Sequence, residues 1–165
     1  TFQNCHLALL LEMSNHVGDQ TEGSHMPLCF TKAELSEFLT EVFPQVKDDF
    51  VIEDLKEMEV TVRLKVQERH LRPGGTVSGP SMFALADCAI YMAVLSMIGR
   101  EALAVTTNGS IDFMRKPAAG KDLIAQCRLL KLGRVLAIGD VLMYSEGGEA
   151  PVARASMTYS IPPKK

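Results

Sequence analysis

The sequence has no surplus of positive charge: 17 Lys and Arg against 20 Asp and Glu leave a net charge of −3 at pH 7. No long-range field therefore collects nucleic acid or an anionic membrane, and neither is an expected partner. A phosphate-bearing ligand would have to be held by a local basic patch. The four cysteines, Cys5, Cys29, Cys88 and Cys127, form no CxxC pair and no His/Cys cluster at zinc spacing. Reduced thiols, a cytoplasmic location and no metal are expected. No uninterrupted apolar run reaches the roughly 18 to 20 residues of a membrane span. The short patch Leu7-Ala8-Leu9-Leu10-Leu11 lacks the basic flank of a secretory signal. GxSxG, Walker, GxGxxG and HExxH patterns are absent, and Ser78, Ser81 and Ser110 have no triad context. Serine-hydrolase chemistry is disfavoured.

What is present is an ordinary globular balance, 47% hydrophobic and 22% charged residues over 165 positions, enough for one domain with its own core. Gly23-Ser24-His25-Met26 matches the residues that expression vectors leave before a cloned start codon. The expected plan is therefore a non-native extension over residues 1–25 and a single domain over 26–165. Thr31 and Glu34 suit the start of a helix with Leu35, Phe38, Leu39 and Val42 on one stripe, and Pro44 ends it. Residues 58–66 alternate apolar and polar as a half-buried strand does. Ser78-Gly79-Pro80 opens a second helix that is apolar nearly all round from 82 to 98 and closes at Gly99. Four strands follow, over 102–114, 123–132, 135–144 and 152–161, joined by short turns that imply an antiparallel meander. The expected architecture is α+β, a curved antiparallel sheet wrapped around one long helix.

Two features of the apolar helix could carry chemistry. Asp87 stands between Leu85, Ala86, Cys88, Ala89 and Ile90, where a carboxylate is costly unless something satisfies or uses it. A backbone amide or a polar subunit contact would satisfy it; a reaction would use it. At the helix entry, first-turn amides lack internal partners, and Gly79 would let a carbonyl or oxyanion approach closely. The same residues also serve as a plain cap. Gly79 and Asp87 are eight residues apart, about 12 Å along the axis, so they cannot reach one carbonyl within a monomer. A two-fold dimer that pairs antiparallel copies of this helix could bring Gly79 of one chain to Asp87 of the other, twice. His70 reads as a surface histidine without an orienting acid. Arg115, Lys116, Lys121, Arg128, Lys131 and Arg134 cluster near strand ends and turns, as solvated residues or as phosphate ligands.

The stretch His70-Leu71-Arg72-Pro73-Gly74-Gly75-Thr76-Val77-Ser78-Gly79-Pro80, continued by Leu85-Ala86-Asp87, resembles the hotdog-fold acyl-CoA thioesterases. The nearest branch is the phenylacetate-pathway and 4-hydroxybenzoyl-CoA thioesterase group. Thr106-Thr107-Asn108-Gly109-Ser110-Ile111 and Arg115-Lys116-Pro117 are similar to that family's next strand and Arg-Pro turn. The resemblance implies a hotdog fold and hydrolysis of an acyl-CoA to free acid and CoA, with no cofactor beyond the substrate's own CoA. It implies Asp87 as nucleophile or general base and Gly79 as oxyanion donor across a dimer, within a homodimer or homotetramer. Arg72, Ser78, Thr107, Asn108, Arg115 and Lys116 are the expected substrate-binding residues. Arg72 stands where the family pattern has Asn, which usually orients water or the acid, and Ser78-Gly79-Pro80 replaces His-Gly-Gly. An Arg there could pair with Asp87 or hold a carboxylate of the acyl group. A non-catalytic acyl-CoA binder is the first alternative, and a hydratase or dehydratase using His70 the second.

Overall fold

A computed structural model describes residues 27–163, so the expected boundary at Met26 lies outside the described residues. Helix α1 (Lys32–Val42) starts at the expected capping box. Thr31 N–H donates to Glu34 Oε2 at 2.7 Å, and Glu34 N–H returns a bond to Thr31 Oγ1 at 3.3 Å. Its buried face is Leu35, Phe38 and Leu39. The central helix α2 (Gly79–Ile98) has Ser78 as N-cap and ends at Gly99, whose φ of +89° is backbone that glycine adopts without strain. One 18-residue window of α2 has a mean hydropathy of 1.8, enough by composition for a membrane span, but 72% of that window is buried inside the protein.

What buries it is a six-stranded antiparallel sheet in the order β1 (Phe50–Lys56), β2 (Glu59–Leu64), β6 (Leu123–Leu132), β7 (Leu136–Ser145), β8 (Ala153–Ser160) and β5 (Val105–Phe113). Strict alternation of buried residues with exposed or half-buried ones along β8 shows one face on the helix and one toward solvent. A two-stranded hairpin, β3 (Leu71–Arg72) with β4 (Thr76–Val77), leads directly into Ser78. The long helix and the four C-terminal strands lie where the sequence places them, and β6, β7 and β8 form the expected meander. Strand β5, however, pairs with β8 rather than with its successor β6, so the chain crosses over between them and β2 takes the place beside β6. The region before the helix also differs from the expectation: one strand was expected and a β1–β2 hairpin stands there. Its turn uses Met58 at φ +61°, a left-handed position with no glycine or asparagine to signal it, and β1 carries a bulge between Ile52 and Asp54 that breaks the alternation.

Strand β5 is an unpaired edge, exposed along its length except at half-buried Ile111. At the other extreme of packing, Gly139 of β7 lies beneath α2. A Cβ there would stand 2.5 Å from Ile90 Cδ1 and 3.0 Å from the carbonyl oxygen of Arg128. Helix and sheet therefore approach as closely as they do because this position has no side chain. Gly139→Ala is expected to lower stability by about 1 to 3 kcal/mol through overpacking. A drop of several degrees in the unfolding midpoint followed by circular dichroism would show it.

Candidate active site

The hairpin sets the start of α2. Gly74 and Gly75, at φ +95° and +70°, turn the chain between Arg72 and Thr76. Ser78 N–H then donates to the His70 carbonyl at 2.8 Å, and Ser81 Oγ donates to the same oxygen at 3.1 Å. Of the first-turn amides, Ser81 N–H goes to Ser78 Oγ at 3.3 Å and Met82 N–H to the Ser78 carbonyl at 3.1 Å. Pro80 has no N–H to give. The Gly79 amide alone of this turn has no acceptor among the described residues, at the positive end of a 20-residue helix. A Cβ at Gly79 would lie 3.1 Å from Phe113 Cζ, so glycine keeps the approach to that amide open beneath the ring. Gly79 faces a cavity of about 660 Å³, with Met82 and Phe113 as apolar walls and Arg72, Arg115 and Lys116 as its cations. Arg115 Nη1 donates to the Pro151 carbonyl at 2.9 Å, whereas the side chains of Arg72 and Lys116 have no partner among the described residues.

Asp87 lies two turns further on, half-buried, between two other cavities. One, of about 320 Å³, is walled by Phe43, Tyr91 and Tyr159; the other, of about 360 Å³, by His70, Pro80 and Ser81. Neither contains Gly79, as the eight-residue spacing requires. No bond joins Arg72 to Asp87 among the described residues, and the two face different cavities. Asp87 Oδ1 accepts from Thr106 Oγ1 at 2.5 Å and from Tyr159 Oη at 2.7 Å. Oδ2 has no partner among the described residues and is the open oxygen. Burial, reinforced by the Asp87 charge, pushes the Tyr159 hydroxyl well above the ordinary tyrosine range, so it remains a donor.

Register decides which strand residues reach this carboxylate. Thr106 of β5 sits opposite Tyr159 of β8, and a bulge between Thr106 and Asn108 then shifts the alternation by one. Gly109 consequently faces inward, its missing Cβ 3.1 Å from Phe83 Cζ, and Asn108 is on the other face. Thr107 Oγ1 donates to the Thr158 carbonyl at 3.2 Å and is not at Asp87. The hydroxyls that do reach Asp87, those of Thr106 and Tyr159, were missed. The signal for Tyr159 was a polar-tipped residue at an inward strand position otherwise filled by Ala153, Ala155 and Met157.

His70 departs from its expected setting. It is 7% exposed, its Nδ1 accepts the Gln67 N–H at 3.0 Å, and its Nε2 stands 3.4 Å from Asp49 Oδ1. These contacts assign the proton to Nε2 and leave no ring nitrogen free. Asp49, which also pairs with Arg69, supplies the acid that the sequence did not reveal.

A family model described as the thioesterase superfamily matches residues 74–152. A Pseudomonas aeruginosa protein provisionally named an esterase is 30% identical over 104 residues, covering 63% of this chain and 76% of the relative. The chain belongs to the thioesterase superfamily. A crystal structure from Silicibacter sp. TM1040, provisionally named a thioesterase, is 66% identical, with a TM-score of 0.80 over 85% of this chain and 97% of that one. A hypothetical thioesterase from Streptococcus pneumoniae, solved with coenzyme A, is 21% identical with a TM-score of 0.66 over 79% and 98% of the two chains. The sheet curled round one helix is the hotdog fold, and the superfamily's chemistry is thioester hydrolysis.

Within this thioesterase, the thiol next to Asp87 is not poised as a nucleophile. Cys88 is buried, and burial, with the Asp87 charge adding to it, pushes its pKa up to about 12. At pH 8 a thiol of that pKa is ionised to roughly one part in ten thousand. Iodoacetamide at pH 8 is expected to modify the exposed Cys29 and spare Cys88 and Cys127 in the folded protein, read by mass spectrometry of the peptides.

Proposed function

We propose that the chain hydrolyses acyl-CoA thioesters at two equivalent sites of a two-fold dimer, each combining Gly79 of one protomer with Asp87 of the other. One observation carries this reading. The helix offers an amide without an acceptor and a carboxylate with one open oxygen, too far apart along the axis to serve one carbonyl in a single chain. The exposed edge strand β5 supports the dimer, because pairing it with its own copy would continue the sheet and cover Phe113 and Val105. Thr107 and Asn108, on that edge, would then lie at the partner contact.

The chemistry needs little else. The Gly79 N–H takes the charge that develops on the thioester oxygen. Asp87 Oδ2 either removes a proton from the attacking water or attacks the carbonyl carbon itself, in which case a mixed anhydride forms that water then hydrolyses to free acid and carboxylate. The C–S bond breaks to release CoA as a thiolate, a good leaving group. Arg72, Arg115 and Lys116, with Ser78 at the helix entry, are the candidates for holding the CoA portion. That a hotdog relative was solved with coenzyme A is in keeping with this ligand. His70 has both ring nitrogens engaged, which weighs against a hydratase built on it.

A second reading, an acyl-CoA binder without turnover, draws on Arg72 and Ser78 standing where the family pattern has Asn and His. Free-thiol release from a panel of aliphatic and aromatic acyl-CoAs decides between the two. Hydrolysis is expected, with Asp87→Asn at least about a hundredfold slower. Saturable binding with no thiol release would select the binder.

The shared site has its own test. Gly79→Pro removes the donor amide at a helix position that accepts proline, and Asp87→Asn removes the carboxylate. Each variant alone is expected to be nearly inactive. Mixed after dissociation, half the dimers would be hybrids with one intact site, restoring about a quarter of wild-type activity. No recovery in verified hybrid dimers would mean that the two groups act within one chain or not at all.

A further inference from the structure

We infer that Tyr159 is a positioning residue for this reaction, its hydroxyl holding Asp87 by Oδ1 so that Oδ2 is the oxygen that reacts. The inference rests on Asp87 being the reacting carboxylate, as proposed above.

Tyr159 is 3% exposed and lies on the inward face of β8 in line with Ala153, Ala155 and Met157. Apolar packing alone would be met by a phenyl ring there. The ring stacks on Tyr91 at 6.3 Å between centroids, which fixes its plane. A buried hydroxyl must find a partner, and this one meets the Thr106 hydroxyl and two acceptors on Asp87: Oδ1 at 2.7 Å and the main-chain carbonyl at 3.0 Å. It has one proton to give, and the charged acceptor is the stronger of the two.

The pairing of strands makes the arrangement specific. Tyr159 and Thr106 are direct cross-strand neighbours, and their two hydroxyls meet on the same carboxylate oxygen. With Oδ1 occupied twice and Oδ2 unpartnered, the carboxyl group cannot rotate to exchange its oxygens without losing both bonds. Burial keeps the Tyr159 hydroxyl protonated, so the hold does not relax across the working pH range. The Tyr91 hydroxyl, spent on the Ala102 carbonyl at 2.9 Å, does not compete for the site.

The test uses Tyr159→Phe, which keeps the stacked ring and deletes only the hydroxyl. The expected result is a fall in kcat of roughly ten- to a hundredfold, the worth of a hydrogen bond to a charged group, with KM changed less than about twofold. Introducing Tyr159→Phe into Asp87→Asn is expected to leave the residual rate unchanged, because the hydroxyl acts only through the carboxylate. A merely structural role would lower both backgrounds by the same factor, and that result overturns the inference. An unchanged kcat in Tyr159→Phe, while Asp87→Asn loses at least about a hundredfold, overturns it too and leaves the proposed function standing. Full activity in Asp87→Asn would instead remove the functional reading on which it rests. Should Tyr159→Phe fail to fold, Thr106→Val on the exposed edge strand deletes the other donor. It must then lower kcat without raising KM, and an unchanged kcat there would equally overturn the hold on Oδ1.

Discussion

The structure depends on one burial: a 20-residue helix, apolar on nearly every side, enclosed by a single curved sheet. Its buried residues run from Met82 to Met97, and Leu85, Ala86, Ala89, Ile90, Ala93, Val94 and Leu95 are fully out of solvent. Burying a single such leucine or isoleucine is worth about 1.5 to 3 kcal/mol, so the helix dominates the stability of the domain. That dominance explains why the sheet accommodates the helix rather than the reverse. At Gly139 a strand gives up its side chain so that Ile90 can come close, and inward positions of β8 are held to Ala153 and Ala155.

Against such a helix, a single charge is conspicuous. Asp87 is the only carboxylate in α2, which has no lysine, arginine or histidine, and the fold meets its cost with hydroxyl donors from the sheet rather than with a counter-ion. Two hydrogen bonds satisfy one oxygen and leave the other without a partner among the described residues. A carboxylate kept for stability alone would be better served by having both oxygens bonded, so the half-satisfied state is the feature that points to use. The helix entry shows the same pattern. Ser78 and Ser81 satisfy the turn through His70 and each other, while the Gly79 amide is left without an acceptor among the described residues. The hotdog arrangement thus exposes one donor and one base on a single buried element.

Much of this was legible in the sequence because the decisive signals are local. The capping box at Thr31, the Ser-Gly-Pro helix entry, the Gly99 stop and the spacing of Gly79 from Asp87 all follow from short-range stereochemistry. What escaped was set by partners distant in the chain. The β1–β2 hairpin turns on Met58 in a conformation that residue rarely adopts, so no turn residue announced it. The bulge at Thr107 reverses the inward and outward faces of β5, which put Thr107 and Asn108 in the expected site and Thr106 outside it. His70 gained Asp49 through the packing of a loop from 21 residues earlier, and Tyr159 reached Asp87 from 72 positions away.

The departures from the family pattern take on meaning from this geometry. In the pattern, an Asn in the hairpin and a His at the helix entry stand near the reacting groups; here those positions are Arg72 and Ser78. Arg72 faces the Gly79 cavity and has no contact with Asp87, so the hairpin no longer supplies a neutral group to orient the acid. Ser78 is consumed in capping Ser81. Orientation of the carboxylate has instead moved to the opposite wall, where Thr106 and Tyr159 present two hydroxyls from paired strands. The Tyr159 position is a stiffer mount than a hairpin tip turned by two glycines at positive φ, because β8 is bonded to strands on both sides, and Thr106 is held in register against it. The hairpin arginine stands instead with Arg115 and Lys116 around a cavity whose charged side chains, among the described residues, are all cationic, a setting that suits the anionic ligand proposed above.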